Sequence, residues 1–202
     1  MKIAILGLGT VGYGVYDIIN SQQYLKDIKV KYVLDKNLEL QKILNKETLL
    51  TTDYNKIIDD NEVELIVETM GAKNFSFECI KKALLAGKSV VTANKEVIAE
   101  HIDELTNIKN EKNISLYYEA SVGGGIPIIY PLHQASKVNK IASIKGILNG
   151  TTNFILTKMS EENYTFADAL KLAQEKGFAE ADPTADLEGL DMVRKIAILS
   201  SI

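Results

Sequence analysis

The stretch "KIAILGLGTVG", residues 2–12, is an apolar run that ends in a glycine-rich turn. Such a run predicts a buried β-strand, and the residues that follow it predict a helix. Gly7, Gly9 and Gly12 match the pattern G-x-G-x-x-G, whose glycines permit a tight turn, close approach of a pyrophosphate and close packing of helix on strand. The N-terminus of the helix then offers N–H groups to phosphates. The stretch therefore predicts a dinucleotide site; the alternative is a tight strand-to-helix turn without a ligand.

Strands and helices alternate beyond this stretch. The predicted strands cover residues 29–36, 64–71, 89–95 and 114–121, and the predicted helices cover about 11–23, 76–88 and 96–112. The strands are β-branched and apolar on both faces, which is typical of a parallel sheet covered by helices on both sides. The sequence therefore predicts an α/β fold with a doubly wound parallel sheet of the Rossmann type.

The pattern changes at "VGGGIPIIYPL", residues 122–132, which holds three consecutive glycines and two of the chain's three prolines. This composition indicates a junction between domains. Beyond it, residues 140–148 predict a strand, residues 165–177 predict a helix, and Asp182–Pro183 is typical of a helix start. We therefore expect a second region of the α+β type that is too small to complete a core alone.

Composition and charge exclude several classes of protein. The 202 residues carry a formal net charge of −4, which argues against a nucleic-acid partner. No apolar run reaches the roughly 18 residues needed to cross a bilayer, which argues against a membrane partner. The first residues run straight into a strand pattern, which predicts no signal peptide, and the single Cys79 excludes an internal disulfide. Together these features predict a cytoplasmic protein.

Asp35 lies at the end of the second predicted strand, 23 positions after Gly12. The dinucleotide fingerprint expects an acid about 20 residues on, where it binds the ribose 2′-hydroxyl. A carboxylate there repels a 2′-phosphate, which favours NAD over NADP, although Lys36 next to it offsets part of that repulsion. The alternative for Asp35 is an ordinary loop acid.

Two further residues end predicted strands of the sheet. Thr69 lies at the end of the third predicted strand in "VETMG", and Lys95 closes the fourth in "VVTANK". Ligands of open α/β sheets bind outside the carboxyl ends of the strands, so both residues are candidates for contact with the cofactor. The alternative for Lys95 is a lysine at a helix start that points to water.

The junction "EASVGGGIP", residues 119–127, offers many backbone carbonyls and few side chains. Glycine allows close approach of the backbone, so this loop can surround a hard cation with carbonyl oxygens or receive a substrate. The alternative is a flexible hinge, which the sequence alone does not exclude.

The stretch "EADPTADLEGLDMVRK", residues 180–195, holds five acids followed by Arg194 and Lys195. Asp191 and Lys195 lie one helical turn apart, about 40° from each other around the axis. Taken alone they form either an i,i+4 ion pair at the surface or a functional pair on a helix that is apolar almost all round. Of the other acids, Asp182 is the expected N-cap, and Asp186 and Glu188 suit the helix N-terminus.

Several motifs together resemble one family. They are "GLGTVGYG", "VETMGA", "ALLAGKSVVTANK", "YYEASVGGGIPII", "GILNGTTNFIL" and "GFAEADPTADLEGLDMVRK". In order and spacing they are similar to homoserine dehydrogenase, from Ile3 to the last residues. The resemblance implies an oxidoreductase that interconverts L-homoserine and L-aspartate 4-semialdehyde with NAD(P), in the synthesis of threonine, methionine and isoleucine. It also implies a dinucleotide-binding domain at 1–128, a partial substrate-binding and dimerisation domain at 129–202, and a homodimer.

The resemblance implies a role for each matching position. Lys195 is the proton donor, and Glu180 and Asp191 bind the substrate. The residues that bind or line the cofactor site are Gly7, Gly9, Thr10, Val11, Gly12, Thr69, Lys95 and Gly177. A monovalent cation, usually sodium, is bound by the backbone carbonyls of Glu119, Val122, Gly124 and Ile126.

The sequence departs from the family pattern in two respects. Many members carry arginine before the acid that ends the second strand, whereas this chain has Leu34, which strengthens the preference for NAD. Members also continue past the last residue of this sequence, and some add a regulatory ACT domain, so the resemblance implies a fragment. Two other functions remain open: a dinucleotide-binding module or sensor without catalysis, and another two-domain NAD-dependent dehydrogenase acting on a sugar or an amino acid.

Overall fold

The computed structural model describes residues 1–202, which form two compact units, Met1–Pro127 and Ile128–Ile202. The first unit contains all the strands, and the second contains only helices and irregular segments. None of the helices combines the length and the apolar character that a membrane crossing requires.

A six-stranded parallel sheet forms the centre of the first unit. Its strands are β1 (Lys2–Leu6), β2 (Lys29–Leu34), β3 (Leu49–Thr51), β4 (Val63–Glu68), β5 (Ser89–Thr92) and β6 (Leu116–Tyr117). The spatial order is β3-β2-β1-β4-β5-β6, so the direction of winding reverses between β1 and β4. Open α/β sheets bind ligands at such a reversal, beyond the carboxyl ends of the strands. The predicted doubly wound parallel sheet is confirmed.

Five α-helices accompany the sheet: α1 (Thr10–Ser21), α2 (Asn55–Ile58), α3 (Lys73–Leu85), α4 (Lys95–Lys112) and α5 (Ala120–Gly123). Two short 3₁₀ helices, Gln23–Leu25 and Leu38–Ile43, also belong to this unit. Capping residues set the ends of the longest helix. The Asn94 side chain accepts a hydrogen bond from the Val97 N–H at the start of α4, and Asn113 ends it in the left-handed conformation, with φ of 52°.

The strand β1 is buried on both faces, as its apolar composition predicts. In β1, the residues Ile3 to Leu6 are each at most 1% exposed. Successive side chains of a strand point to opposite faces, so an uninterrupted buried run requires cover on both sides of the sheet. Burying one aliphatic side chain contributes about 1.5–3 kcal/mol, so the buried run in β1 stabilises the first unit.

The strand register aligns the carboxyl ends of four central strands. Leu6 pairs with Leu34 of β2 and with Glu68 of β4, and Glu68 pairs with Thr92 of β5. The chain therefore leaves all four strands at one edge of the sheet. Most of the first unit's predicted cofactor residues follow these strand ends.

Three features of the first unit differ from the sequence predictions. β3 and α2 were not predicted, because segments of three or four residues show no periodicity. The predicted strand 114–121 contains only Leu116–Tyr117, since the helical turn α5 begins at Ala120.

The second unit contains five helices: α6 (Ile129–Ser136), α7 (Gly150–Glu162), α8 (Phe166–Glu175), α9 (Thr184–Leu187) and α10 (Leu190–Ser200). Its main buried cluster is small and consists of Ile155, Ala169, Ala173 and Ala179. The predicted helix 165–177 is confirmed as α8, and Gly177, with φ of 75°, follows its end.

Two predictions for the second unit are wrong. Residues 140–148 form no strand, because a strand requires a paired neighbour and this unit contains none. The helix expected from Asp182 onward is two helices, because Gly189 adopts the left-handed conformation with φ of 80° and separates α9 from α10. In addition, α6 and α7 were not predicted.

Candidate functional site

The glycine loop between β1 and α1 requires glycine at two of its three fingerprint positions. A Cβ atom on Gly12 would lie 2.0 Å from the Gly7 carbonyl oxygen and 2.7 Å from Thr69 Oγ1. Gly7 has φ of 87°, and a Cβ there would lie 3.0 Å from the backbone of Met70. Gly9 differs, because no atom lies within 4 Å of its Cβ position. Gly7 and Gly12 therefore fix the turn, while Gly9 leaves space beside the backbone.

The N-terminus of α1 has no capping side chain. Gly9 is the N-cap residue, and the first helical hydrogen bond runs from the Tyr13 N–H to the Gly9 carbonyl over 2.8 Å. The N–H groups before Tyr13 therefore have no intrahelical acceptor. Thr10 and Val11, at the start of this helix, are exposed. The open space at Gly9 and the uncapped helix end fit the phosphates of a dinucleotide.

Asp35, directly after β2, is tied to the glycine loop. Its Oδ2 accepts a hydrogen bond from the Leu8 N–H at 2.9 Å, and its Oδ1 accepts one from the Asn37 N–H at 2.9 Å. These contacts join segments that are distant in the sequence, so the spacing of Asp35 did not predict them. Each carboxylate oxygen has two lone pairs, so Asp35 retains acceptor capacity for ribose hydroxyls.

Thr69, directly after β4, also contacts the glycine loop. Its Oγ1 donates to the Gly7 carbonyl at 2.8 Å and lies 3.2 Å from the Leu6 carbonyl. The hydroxyl has only one proton, and that proton is used to hold the loop. Thr69 can therefore offer a cofactor only its acceptor lone pairs.

Lys95 does not close a strand, as the sequence analysis expected, because β5 ends at Thr92. It is the first residue of α4, immediately after the N-cap Asn94, and it is half-buried. Its backbone lies three residues beyond the carboxyl end of β5, at the same edge of the sheet as Asp35 and Thr69.

The glycine junction is not an open loop throughout. Glu119 is the N-cap of α5, and Val122 within this turn is only 6% exposed. Gly124 follows the turn with φ of 60°, and Ile126 is 72% exposed. The structure contains no group of three or more His, Cys, Asp or Glu side chains suited to a metal ion. That observation concerns side chains, and the predicted site consists of backbone carbonyls.

In the second unit, Asp191 and Lys195 form an ion pair along α10. Lys195 Nζ lies 2.8 Å from Asp191 Oδ2 and donates a further hydrogen bond to the Leu148 carbonyl at 2.7 Å. The side chains of Asp191 and Lys195 are only 4% and 15% exposed. The alternative of a surface ion pair is therefore wrong for this pair.

Asn149, which the sequence analysis did not single out, connects this pair to a second acid. Its Nδ2 donates to Asp191 Oδ2 at 3.0 Å and to Asp186 Oδ1 at 2.7 Å. Asp186 also accepts a hydrogen bond from the Thr151 hydroxyl at 2.8 Å. Asp186 is thus part of a hydrogen-bond network, and it also lies in the first turn of α9, as expected of an acid at a helix N-terminus. The same interpretation is wrong for Glu188, because it follows the C-terminus of α9.

The remaining predicted residues of the second unit lie after α8. Gly177 ends that helix in the left-handed conformation, and its N–H donates to the Gln174 carbonyl at 3.1 Å. Glu180 is exposed, and its backbone carbonyl accepts a hydrogen bond from Gln174 Nε2 at 3.2 Å. The prediction that Asp182 is the N-cap is wrong, because Pro183 is the N-cap of α9 and Asp182 precedes it. Asp182 Oδ1 accepts from the Thr184 N–H, and hydrogen bonds from Thr184 lower the pKa of the Asp182 carboxyl.

Comparison with known proteins identifies the family. Residues 7–119 match the family model described as the NAD-binding domain of homoserine dehydrogenase, and residues 127–202 match the model described as homoserine dehydrogenase. The chain belongs to the homoserine dehydrogenase family.

Individual relatives agree with this assignment. The homoserine dehydrogenase of a Synechocystis strain is 45% identical over 207 residues, which cover 100% of this chain and 48% of the relative. The crystal structure of a homoserine dehydrogenase from Thiobacillus denitrificans is 38% identical with a TM-score of 0.91, and the match covers 100% of this chain and 48% of that one.

A hyperthermophilic archaeal homoserine dehydrogenase, solved in complex with NADPH, is 30% identical with a TM-score of 0.86; the match covers 98% of this chain and 68% of that one. The chain spans about half the length of the curated relatives that it matches.

Three residues of these sites carried a signal that the sequence analysis did not use. Glu68 is an acid at the end of the apolar run "LIVE". Such a run is expected to be buried, and a buried acid requires hydrogen-bond partners, so its position indicates a residue held by such partners. Asn149 and Thr151 lie in "NGTT" directly before a helix, a composition typical of an N-cap.

Proposed function

We propose that this chain supplies the dinucleotide-binding domain and part of the substrate domain of a homoserine dehydrogenase. The proposed reaction interconverts L-homoserine and L-aspartate 4-semialdehyde with a nicotinamide dinucleotide. The observation that carries the proposal is the buried Asp191–Lys195 ion pair, together with its hydrogen bonds to Asn149 and the Leu148 carbonyl. A half-buried lysine held by a buried carboxylate is typical of a functional site.

The cofactor site is proposed at the carboxyl edge of the sheet. Gly7, Gly9, Thr10, Val11 and Gly12 would hold the diphosphate, because the uncapped helix end attracts an anion and Gly9 leaves space for it. Asp35 would accept hydrogen bonds from the adenosine ribose. Thr69, Lys95 and Gly177 are proposed to line the rest of the site.

We propose NAD as the preferred cofactor. The Leu8 and Asn37 amides hold both oxygens of Asp35, so a negative charge is fixed where a 2′-phosphate would have to lie. Leu34 before it offers no positive charge to a phosphate. The archaeal relative, by contrast, was solved in complex with NADPH.

Lys195 is proposed as the proton donor. When bound, the reduced nicotinamide supplies a hydride to the aldehyde carbon, which leaves negative charge on the aldehyde oxygen. The ammonium group of Lys195 can stabilise that charge and give it a proton. Asp191 and the Leu148 carbonyl hold two of the lysine's N–H directions, which leaves the third for the substrate. Glu180 and Asp191 would accept hydrogen bonds from the substrate ammonium and hydroxyl groups.

Further proposals concern a bound cation, the oligomeric state, the cellular location and the pathway of the enzyme. The backbone carbonyls of Glu119, Val122, Gly124 and Ile126 are proposed to bind a monovalent cation such as sodium, because the left-handed Gly124 allows the chain to curl. We propose a homodimer in which residues 129–202 contribute to dimerisation, after residues 1–128 as the dinucleotide-binding domain. We also propose a role in threonine, methionine and isoleucine synthesis. A cytoplasmic location is proposed because the free, buried Cys79 suits a reducing compartment.

The test is NADH formation that depends on L-homoserine, measured with the wild-type chain and with Lys195→Ala. We expect Lys195→Ala to lower turnover by about 10²–10⁴-fold, the typical contribution of general acid–base catalysis. Lys171→Ala, which removes an exposed lysine from α8 of the same unit, is the matched control and should retain full activity. A loss below about tenfold in Lys195→Ala would exclude its role as proton donor.

Binding measurements separate this proposal from its main alternative. If the wild-type chain binds NADH but does not oxidise homoserine, the function of this chain is that of a dinucleotide-binding module. A tighter Kd for NADPH than for NADH would refute the interpretation of Asp35 and Leu34.

A further inference from the structure

Glu68 is a fully buried acid at the carboxyl end of β4, with 0% of its surface exposed. Its Oε1 accepts hydrogen bonds from the Met70 N–H and the Ser76 hydroxyl, both at 2.8 Å. Its Oε2 accepts one from the Thr92 hydroxyl at 2.6 Å. All three donors are uncharged groups. Burying a carboxylate is costly, so a residue of this kind is retained where its hydrogen bonds serve a purpose.

The two oxygens of Glu68 bind two different segments of the sheet edge. Oε1 holds the turn that follows β4, directly beside Thr69, and fastens it to α3 through Ser76. Oε2 holds the end of β5, the neighbouring strand, where Glu68 and Thr92 are paired in register. One carboxylate thus joins the exits of two adjacent strands.

The hydrogen-bond chain continues from Thr92 to the start of α4. Thr92 Oγ1 accepts from the Asn94 N–H at 2.9 Å, and Asn94 Oδ1 accepts from the Val97 N–H at 3.2 Å. Lys95 lies between these two residues and is the first residue of the helix. The backbone position of Lys95 is therefore set by a chain of contacts that begins at Glu68.

The side chain of Asn94 makes an unfavourable contribution to the folded conformation of this segment. Its Nδ2 is buried and has no hydrogen-bond partner. An unsatisfied buried donor opposes the folded conformation, so other contacts must keep Asn94 in place. The bonds from Thr92 to Asn94 and from Glu68 to Thr92 are contacts of this kind.

We propose that Glu68 is a positioning residue for the dinucleotide site: it fixes the turn at Thr69 and the start of α4 at Lys95 relative to each other. This inference rests on the proposed function, which assigns Thr69 and Lys95 to the cofactor site. Glu68 has no exposed surface and does not touch the cofactor. It sets the affinity through the two segments it joins, because a binding site that is ordered in advance loses less entropy when its ligand arrives.

The role requires a carboxylate. A glutamine has nearly the same shape but only one acceptor oxygen, and its amide nitrogen is a donor. In Glu68→Gln, an amide nitrogen facing the Met70 N–H would set two donors against each other. An amide nitrogen facing Thr92 could donate to its hydroxyl oxygen, but the Thr92 proton would then lose its acceptor at residue 68. In either orientation the charge-assisted hydrogen bonds of the carboxylate are lost.

The experiment is a titration of the chain with NADH, well below the Tm of each variant, followed by fluorescence or calorimetry. We expect Glu68→Gln and Thr92→Val to raise the Kd for NADH about tenfold, the equivalent of one lost charge-assisted hydrogen bond. Thr92→Ser keeps the hydroxyl and should stay within about twofold of the wild type. Glu64→Gln changes an exposed acid of the same strand and should leave the Kd unchanged.

Hydrogen exchange of residues 92–98 gives a second readout. Glu68→Gln should accelerate exchange there, whereas Glu64→Gln should not. If Glu68→Gln lowers the Tm but leaves the Kd unchanged, Glu68 is a structural residue only and the inference is overturned. If Glu68→Gln does not fold, the Thr92→Val and Thr92→Ser pair decides by the same criterion. Failure of the wild-type chain to bind NADH overturns the proposed function itself, and with it this inference.

Discussion

The two units carry their candidate functional groups in different ways. In the first unit, a buried parallel sheet aligns four strand ends. The glycine loop is packed so closely that a Cβ added to Gly12 would lie 2.0 Å from the Gly7 carbonyl oxygen. In the second unit, which has no sheet, Asp191 accepts a hydrogen bond from the Asn149 side chain, and Lys195 is held by Asp191 and by the Leu148 carbonyl.

The two buried carboxylates illustrate the same difference. Glu68 accepts hydrogen bonds from uncharged donors and lies beneath the sheet edge, whereas Asp191 is paired with the ammonium group of Lys195. An acid with neutral partners can fix backbone segments, but it provides no proton donor. An acid paired with a lysine can orient a group that takes part in chemistry. The two buried carboxylates therefore serve different roles, which follow from whether their hydrogen-bond donors are neutral or charged.

The largest effect is expected when a side chain is added to the closely packed glycine loop of the first unit. Gly12→Ala forces a Cβ against the Gly7 carbonyl, and we expect it to destabilise the first unit by about 3 kcal/mol or more, at the upper end of the cost of overpacking. It should also abolish NADH binding. Gly14→Ala, in the same helix but with no atom within 4 Å of its Cβ position, is the control and should stabilise by up to about 1 kcal/mol. Both effects are measured by urea denaturation and NADH titration.

Hydrogen exchange of peptides from each unit makes this test specific. Gly12→Ala should accelerate exchange throughout the first unit. Equal destabilisation by Gly12→Ala and Gly14→Ala would mean that the loop tolerates a side chain, and the backbone account of the first unit would be wrong.

The second test removes the side-chain network of the second unit. Asn149→Ala leaves Asp186 and Asp191 without its N–H donors and removes the N-cap that accepts from the Thr152 N–H. We expect the free energy of opening of α7 and α10 to fall by about 2–3 kcal/mol, from a lost cap and orphaned acceptors. Hydrogen exchange measures it. Asn153→Ala, an exposed residue of α7, is the control, and an equal effect in both variants would contradict the network.

The smallest expected effect is a pH dependence of the free energy of unfolding of the first unit. Burial raises the pKa of the Cys79 thiol to about 12, whereas an unfolded cysteine titrates near about 8.5. The unfolded state therefore loses this proton first, so the stabilising contribution is complete below about pH 8.5 and declines as the pH rises towards 12.

Cys79→Ala tests this dependence. Between about pH 8 and pH 10, the free energy of unfolding of the wild type should decrease more steeply than that of the variant, although the variant is less stable overall. Parallel slopes would mean that the thiol titrates normally. Exchange in the second unit, which has no cysteine, should respond to pH equally in both proteins.

Much of the first unit could be predicted because its signals are local. The run at residues 2–12 specifies a strand, a turn and a helix in contiguous sequence, and the structure has all three. The short strand β3 was not predicted, because three residues show no period and Leu49–Thr51 is a strand only through pairing with β2. Asp35 was found by its spacing, but its bonds to Leu8 and Asn37 depend on how the loops meet.

The second unit was predicted less well because its interactions are distant in sequence. The spacing of Asp191 and Lys195 indicated a pair, but the sequence alone left open whether it lies at the surface. Asn149 lies far from both along the chain, and no local period connects them. Conversely, the strand pattern at 140–148 was misleading, because a strand forms only where a second strand can pair with it.

The sequence by itself determined the family, the parallel sheet, the glycine fingerprint and the one-turn spacing of Asp191 and Lys195, because each depends on residues close together in the chain. Only the tertiary structure decided that the Asp191–Lys195 pair is buried, that Asn149 joins Asp186 to Asp191, and that Glu68 connects two strand exits. Burial and hydrogen-bond partners are properties of segments brought together by folding, and no pattern within a single segment encodes them.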